Sequence, residues 1–382
     1  MKFAHMGDCH LGGWRHPALK ELNFLSFQAA INKCIKEKVE FILITGDLFD
    51  NPYPSIETLK EAFQEFRRLK EERIPVFIIA GSHDYSSAGK TFLDVLDRAG
   101  FCTNVSNFEE KNNTIFLHPT LYKNYAIYGY SGKKSSLEVE DLEGVKIQDS
   151  PGLFKILMLH TAIRDALGTL PIKAVDHTKL PKVNYLALGH LHIFYQKENR
   201  AYSGPIFPNN LSELEELKGG SFCIYDNGKI IREEIRLKPL RVINLEIKNA
   251  LKATDEIIST LEKENLNDAI VIVKLYGMLE KGKLSDIDFS KIESFTRKNN
   301  SYVLLKSTSK IHMPDSEMKF DILDSGNLEQ EIVKKFENTN PGKFNSFIDP
   351  LMKALQVEKQ DDEKTSNFEE RILAEAGKIL KI

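Results

Sequence analysis

The chain has 382 residues, 42% hydrophobic and 28% charged, with 52 Lys and Arg against 55 Asp and Glu, enough for two or three domains with real cores. A net charge of −3 beside abundant Leu, Ile, Val and Phe excludes wholesale disorder and polyanion binding by bulk charge, so any nucleic-acid contact has to be local. Four scattered cysteines, Cys9, Cys34, Cys102 and Cys223, form no CxxC pair, which argues against a disulfide framework and a thiolate zinc site.

The opening run Met1-Lys2-Phe3-Ala4-His5 goes straight into a strand without a signal-peptide pattern, and no stretch nears the roughly 18 apolar residues of a membrane span. A soluble, cytoplasmic protein is expected. Short apolar runs predict strands at Lys2–His5, Phe41–Thr45, Val76–Ala80, Tyr125–Tyr130, Phe154–Leu159 and Tyr185–Leu188, the continuous type that is covered on both faces. Between them, helical spacing joins Phe24, Phe27, Ile31, Cys34 and Ile35, then Ile56, Leu59, Phe63, Phe66 and Leu69 after a Ser55 cap, then Phe92, Val95 and Leu96 after Thr91. This is the alternation of an α/β sheet covered by helices.

From Arg236 the pattern becomes strand (Val242–Ile247), helix (Thr254–Glu264), strand (Ile270–Leu275), helix (Asp288–Arg297), strand (Tyr302–Leu305). The expected division is a body over 1–235, a βαβαβ unit over 236–310 and a linker with terminal helices over 311–382. In the last part a short helix around 328–337 precedes the breakers of 338–342. Two amphipathic helices follow, one capped by Asp349 with Pro350 in its first turn, the other capped by Ser366 with Glu369 in a capping box, and the charged loop 358–364 separates them.

The chemistry stands at the ends of the apolar runs: Asp8-Cys9-His10, Gly46-Asp47, Gly81-Ser82-His83-Asp84, His160 and Gly189-His190-Leu191-His192. Each alone reads as a turn or cap. In an open α/β sheet the carboxyl ends of strands share one crevice, so the five segments are expected to converge. Carboxylates with imidazoles suit manganese, iron or zinc better than magnesium or calcium. Two such ions about 3.5–4 Å apart, bridged by Asp47, generate a hydroxide from water and neutralise a phosphoryl oxygen, which makes phosphoester hydrolysis the favoured reaction. Cys9 is expected to face away and pack, and His5, His16, His118, His177 and His312 lack such a setting.

With these motifs in view, MKFAHMGDCHLG, FILITGDLFD, IPVFIIAGSHD, LMLHTAIRD, YLALGHLH and the later YSGP and KGGSF, the chain resembles the calcineurin-like metallophosphoesterase superfamily. Within it, the chain resembles the nuclease subunit of SbcCD-type double-strand-break repair complexes, archaeal members included. The resemblance implies a four-layer metallophosphoesterase sandwich with a small α/β capping domain and a C-terminal helical segment. It implies two divalent metals, manganese foremost: one on Asp8, His10, Asp47 and His192, the other on Asp47, Ser82, His160 and His190. His83 and Asp84 are the implied catalytic pair, His83 near the scissile phosphate and Asp84 orienting it.

Two positions depart from the resembled pattern: Ser82 stands where Asn is usual, implying weaker hold on the second metal, and Asp50 where the nucleases often carry His. The resemblance further implies DNA ends as substrate, a coiled-coil ABC-type repair ATPase docking on Leu351, Leu355, Phe368 and Ile372, and a homodimer through Leu59, Phe63, Phe92 and Val95. A phosphatase or cyclic-nucleotide phosphodiesterase of the same superfamily, and a DNA-end-binding scaffold with weak catalysis, stay open; the domain layout favours the nuclease.

Overall fold

A computed structural model describes residues 1–312 apart from 87, 88, 90, 113, 134, 135 and 169–171, together with helices Asn345–Leu355 and Thr365–Leu380. The helix expected at 328–337, the breakers of 338–342 and the charged loop lie outside the described residues. The chain forms two units, Met1–Pro314 and Asp315–Ile382.

The first unit is built on two six-stranded sheets. One runs β15 (Lys229–Ile235), β14 (Gly220–Asp226), β1 (Lys2–Met6), β2 (Ile42–Thr45), β3 (Val76–Ile79), β4 (Thr103–Asn104). The other runs β12 (Phe194–Lys197), β13 (Arg200–Ser203), β11 (Tyr185–Gly189), β10 (Phe154–His160), β8 (Tyr125–Tyr130), β7 (Thr120–Tyr122). The central strands are parallel, and antiparallel hairpins complete one or both edges.

Strand periodicity explains why the predicted runs are apolar on both faces at their centres. Phe3, Leu43, Phe77 and Ile79 of the first sheet meet Tyr125, Ile127, Ile156, Met158, Tyr185 and Ala187 of the second in one buried layer, while the alternate residues turn outward. On the first sheet these are Ala4, Met6, Ile42, Ile44, Val76 and Ile78, packed with α1 (Pro17–Glu37), α2 (Ile56–Glu71) and α3 (Leu93–Arg98). On the second they are Tyr128, Tyr130, Leu157, Leu159, Leu186 and Leu188. Those are covered by α4 (Glu138–Asp141), α5 (Arg164–Leu167) and a small sheet of β5 (Phe108–Lys111), β6 (Thr114–Leu117) and β9 (Lys146–Ile147). The order is helix, sheet, sheet, thin outer cover, the four-layer α/β arrangement.

Helix starts follow the expected caps only in part. Ser55 caps α2 as expected, accepting from the Thr58 amide. The first helix begins seven residues before Phe24, with Pro17 in its first turn, where a missing N–H costs nothing. Thr91 accepts from the Leu93 amide one residue ahead of the Phe92 boundary.

The segment after Arg236 forms a parallel sheet of β16 (Leu240–Glu246), β17 (Ile270–Met278) and β18 (Val303–His312). Two helices, α7 (Ala250–Leu261) and α8 (Phe289–Lys298), cover one face over Val271, Val273 and Leu275. The first starts at Ala250 rather than Thr254 because Asn249 caps it, and β18 runs to His312 where only Tyr302–Leu305 was expected.

The other face turns Ile270, Ile272 and Val303 onto Leu19 and Leu22 of α1, Phe207, and Leu214 of α6 (Leu211–Leu217). The Tyr302 hydroxyl donates to the Ala18 carbonyl at 2.9 Å, and Lys274 pairs with Glu215. Seven buried apolar side chains at about 1.5–3 kcal/mol each outweigh one ion pair at about 0–1 kcal/mol, so the seam is hydrophobic in origin.

In the second unit the two helices pack on each other. The first already runs from Asn345, so Asp349 is not its cap and Pro350 lies inside it, forfeiting one backbone hydrogen bond. The second starts at Thr365, which puts Ser366 in its first turn. Leu351, Phe368 and Ile372 are half-buried, whereas Leu355 and Leu373 are 59% and 70% exposed.

Candidate metal centre

Five parallel strands end at one place. Strand ends alone suggested one open sheet; as the four-layer sandwich implied by the resemblance requires, the donors come from the facing carboxyl edges of two, because β10 and β11 pair with β8 and β13 rather than with β1–β3. The first sheet delivers Asp8, His10, Asp47 and the 81–84 turn, and the second delivers His160, His190 and His192.

Backbone strain concentrates there. Asp8, His10, Asp47 and His190 have φ of 52°, 43°, 49° and 98°, a region non-glycine residues enter at a cost of about 1–2 kcal/mol. The loops are pressed so close that a Cβ on Gly46, at φ 92°, would meet His160 Nδ1 at 2.4 Å. One on Gly81 would meet Asp47 Oδ1 at 2.1 Å. Only glycine fits at either place.

Asp47 Oδ2 lies 3.3 Å from His160 Nε2 and 3.7 Å from His10 Nε2, so one carboxylate oxygen faces imidazoles of both sheets. Asp8 Oδ1 lies 4.0 Å from both His160 Nδ1 and His192 Nε2, and it accepts from the His190 amide at 2.9 Å. The His190 ring is 5.2 Å from that of His160. Three groups of donors are close enough to share an ion: Asp8, His10 and His192; Asp8, Asp47 and His160; His10, Asp50 and His83. All but Asp50, His83 and His192 are buried, so solvent enters on the side of these three.

Hydrogen bonds orient the imidazoles and leave places for a cation. His160 Nδ1 donates to the Thr45 carbonyl at 2.8 Å, which leaves Nε2, aimed at the Asp47 carboxylate, as the atom that a proton or a cation would occupy. His192 Nδ1 meets Glu213 Oε1 at 3.1 Å, and His10 Nδ1 lies 3.3 Å from Asp50 Oδ1. The two Nε2 atoms meet at 3.1 Å, with room between them for one proton or for a cation. His10 Nδ1 and His160 Nε2 are buried without a hydrogen-bond partner among the described residues. A divalent ion suits each place, and the donor set of buried carboxylates and imidazoles fits one of borderline softness.

The charges follow. Burial pushes the Asp8 carboxyl up against the pull of His192 and His160. Burial also pushes Asp47 up, but His160 and His10 outweigh it and hold the group below the usual carboxylate range. Burial lowers His160, yet Asp47 overrides it and lifts the imidazole to about 10. Burial, then His160, brings His190 down to about 4, keeping it neutral. In His192 the Glu213 hydrogen bond overcomes burial and raises the ring.

The 81–84 turn is held from beneath. Asp84 Oδ2 accepts from the Gly81 amide at 2.9 Å and Oδ1 from the Phe49 amide at 3.2 Å, while burial and Asp47 push its pKa up to about 7. The His83 amide donates to Asp47 Oδ1 at 2.8 Å; its exposed ring donates from Nδ1 to the Asp50 carbonyl at 2.8 Å and lies 4.8 Å from the His10 ring. Ser82 is half-buried in this turn, its hydroxyl without a hydrogen bond among the described residues. Cys9 faces the helix-covered core, as expected.

Sequence reasoning missed Glu213, Asn209 and the contact of Asp50 with His10. Asn209 Nδ2 donates to Asp50 Oδ1 at 3.3 Å, and its amide to Glu213 Oε2 at 2.8 Å. No local pattern announces such residues, because their partners lie far away in the chain. Elsewhere, Leu59, Phe63 and Phe92 pack partly on the helix-covered core and Val95 is 46% exposed.

The family profile described as calcineurin-like phosphoesterase matches residues 1–194. The DNA double-strand break repair protein Mre11 of Archaeoglobus fulgidus is 25% identical, the alignment covering 98% of this chain and 85% of that one. Its namesake in Methanocaldococcus jannaschii is 27% identical over 77% of each. The uncharacterized metallophosphoesterase YhaO of Bacillus subtilis is 29% identical over 55% of this chain and 53% of its own length.

Proposed function

The chain belongs to the calcineurin-like phosphoesterase family, and from that premise we propose that it is a two-metal, manganese-dependent DNA nuclease, exonuclease and endonuclease, acting at double-strand breaks. Family membership makes it a metal-dependent phosphoester hydrolase. What carries the nuclease reading over a phosphatase is the likeness to archaeal proteins named for DNA double-strand break repair, which extends over 98% of the chain, well past the metal-bearing body.

In this reading Asp8, His10, Asp47 and His192 would hold one ion and Asp47, Ser82, His160 and His190 the other, with Asp47, whose Oδ2 faces imidazoles of both sheets, common to the two sets. The metals, when bound, supply Lewis acidity and activate water for attack on phosphorus. The chain's own groups position and exchange protons. Glu213 and the Thr45 carbonyl orient the imidazoles, Asp84 fixes the 81–84 turn, and His83 stands at the solvent side of the site. With Nδ1 committed to the Asp50 carbonyl, the proton His83 can deliver to a leaving oxygen is the one on Nε2.

The 1–235 body carries the chemistry and the 236–310 unit caps it and grips DNA. The terminal helices present Leu351, Leu355, Phe368 and Ile372 to the coiled-coil base of an ABC-type ATPase, and Leu59, Phe63, Phe92 and Val95 meet a second copy. The setting is the cytoplasm. No helix among the described residues is long and apolar enough to cross a membrane.

The test is cleavage of end-labelled duplex and single-stranded DNA in manganese or magnesium, with Asp47→Asn and His83→Ala as controls. Manganese-dependent cutting, reduced at least about 100-fold in both variants, is expected. Hydrolysis of a phosphomonoester with no cutting of either DNA would replace the nuclease by a phosphatase, and DNA binding without hydrolysis of either would leave a scaffold.

A further inference from the structure

We propose that Glu213 is a positioning residue for His192, that Asp50 does the same for His10, and that Asn209 joins the two carboxylates into one clamp seated on helix α6. The inference rests on the metal-dependent reading of the site and not on DNA as the substrate.

Every link is a direct contact. Glu213 Oε1 accepts from His192 Nδ1 at 3.1 Å and from Asn210 Nδ2 at 2.6 Å, and Oε2 accepts from the Asn209 amide at 2.8 Å, so the carboxylate is held on both oxygens. The same Asn209 donates from Nδ2 to Asp50 Oδ1 at 3.3 Å, and that oxygen faces His10 Nδ1, also at 3.3 Å. His10 and His192 come from different sheets, yet one asparagine side chain and its own amide reach the orienting groups of both. A histidine that offers Nε2 to a metal has its rotation fixed by what Nδ1 holds, and loss of such a partner costs about 10–100-fold in metal affinity.

The clamp is fixed from outside the site. Leu214, next to Glu213, is buried in the seam with Ile270 and Ile272, and Glu215 pairs with Lys274 of the small sheet. Behind it Trp14 Nε1 donates to the Pro208 carbonyl at 2.7 Å. Residues 208–215 are thereby pinned between the small sheet and the metal donors.

The experiment is a calorimetric manganese titration of the full chain in four forms: parent, Glu213→Ala, His192→Ala and the double variant, each first checked for cooperative melting without metal. Should Glu213→Ala fail that check, Glu213→Gln takes its place. The parent is expected to bind manganese and Glu213→Ala to lose about 10–100-fold at one class of site. The double variant is expected to bind no more weakly than His192→Ala, the non-additivity of a residue acting through another. Unchanged affinity in Glu213→Ala, or losses that add in the double variant, would overturn the clamp. A parent that binds no manganese would overturn the metal-dependent reading beneath it.

Discussion

At Gly81 the absence of a side chain is what lets two loops cross. A methyl group there would fall 2.1 Å from Asp47 Oδ1 and 2.4 Å from the Asp47 amide, contacts that only backbone movement relieves. Gly81→Ala should therefore lower stability by about 1–3 kcal/mol and abolish manganese binding although every donor is still present. Melting and titration would check both; parental binding would mean that the loop has room to shift. His5 makes a separate prediction. Its ring is buried with Nδ1 2.9 Å from the Tyr185 hydroxyl and Nε2 3.2 Å from Thr45 Oγ1, and burial pushes its pKa down to about 3. The fold cannot accept a proton that an unfolded imidazole takes up near pH 6.5, so the penalty is absent above about 6.5 and grows as pH falls toward 3. Its slope reaches about 1.4 kcal/mol per pH unit. Urea unfolding between about pH 6 and 4 should show a shallower acid limb in His5→Gln than in the parent; equal slopes would refute the assignment.

At the scale of elements, the short helix α6 tests what holds the small sheet to the rest. Leu214→Ala should cost about 2–5 kcal/mol, whereas Lys274→Ala, removing a partner of a half-exposed ion pair, should cost less than about 1 kcal/mol. The reverse ranking in denaturant unfolding would mean that charge rather than apolar packing makes the seam. The same elements show why part of the structure was legible beforehand. Runs such as Phe41–Ile44 and Ile156–Leu159 are apolar at every position because both faces are covered, and the polar residues that follow them, Asp47 and His160, stand out for that reason. The edge strands lack this signal: β15 reads KIIREEI, with one side exposed, and β5 reads FEEK. Glu213 looks like ordinary helix-cap chemistry, which it also performs, since Asn210 caps α6 and Glu213 supplies its first-turn charge, and Asn209 looks like one more polar residue ahead of the helix. Their second role depends on Asp50 and His192 arriving from elsewhere. How the strands divide between two sheets was hidden from the strand pattern, because a run covered on both faces looks the same in either; only the resemblance implied the four layers.

Over the whole molecule, the candidate metal centre spans the junction of two sheets that otherwise meet in a shared apolar layer and a few polar contacts such as that of His5 with Tyr185. Ions shared by donors of both sheets, Asp8, His10 and His192 in one group and Asp8, Asp47 and His160 in another, would tie them together, and the unfolded chain cannot reproduce such a site. Binding should therefore raise the melting temperature in proportion to the logarithm of free manganese, with about 2.7 kcal/mol gained at a hundred times the dissociation constant. A chelator should reverse it. Scanning calorimetry at stepped manganese concentrations checks this, and a melting temperature indifferent to the ion would mean that the donors do not grip it from both sheets.

The seven-residue seam also dictates how the chain can be dissected. The connection at 236–239 is mostly exposed and open to a protease, but a nick there severs only the covalent link; Leu19, Leu22, Phe207 and Leu214 would still cling to Ile270, Ile272 and Val303, and the two pieces should travel together through gel filtration. A fragment ended at residue 235 would instead turn those four side chains toward water, a sticky patch that invites aggregation. Ending the chain after His312 leaves the seam whole, which makes 1–312 the smallest piece worth preparing.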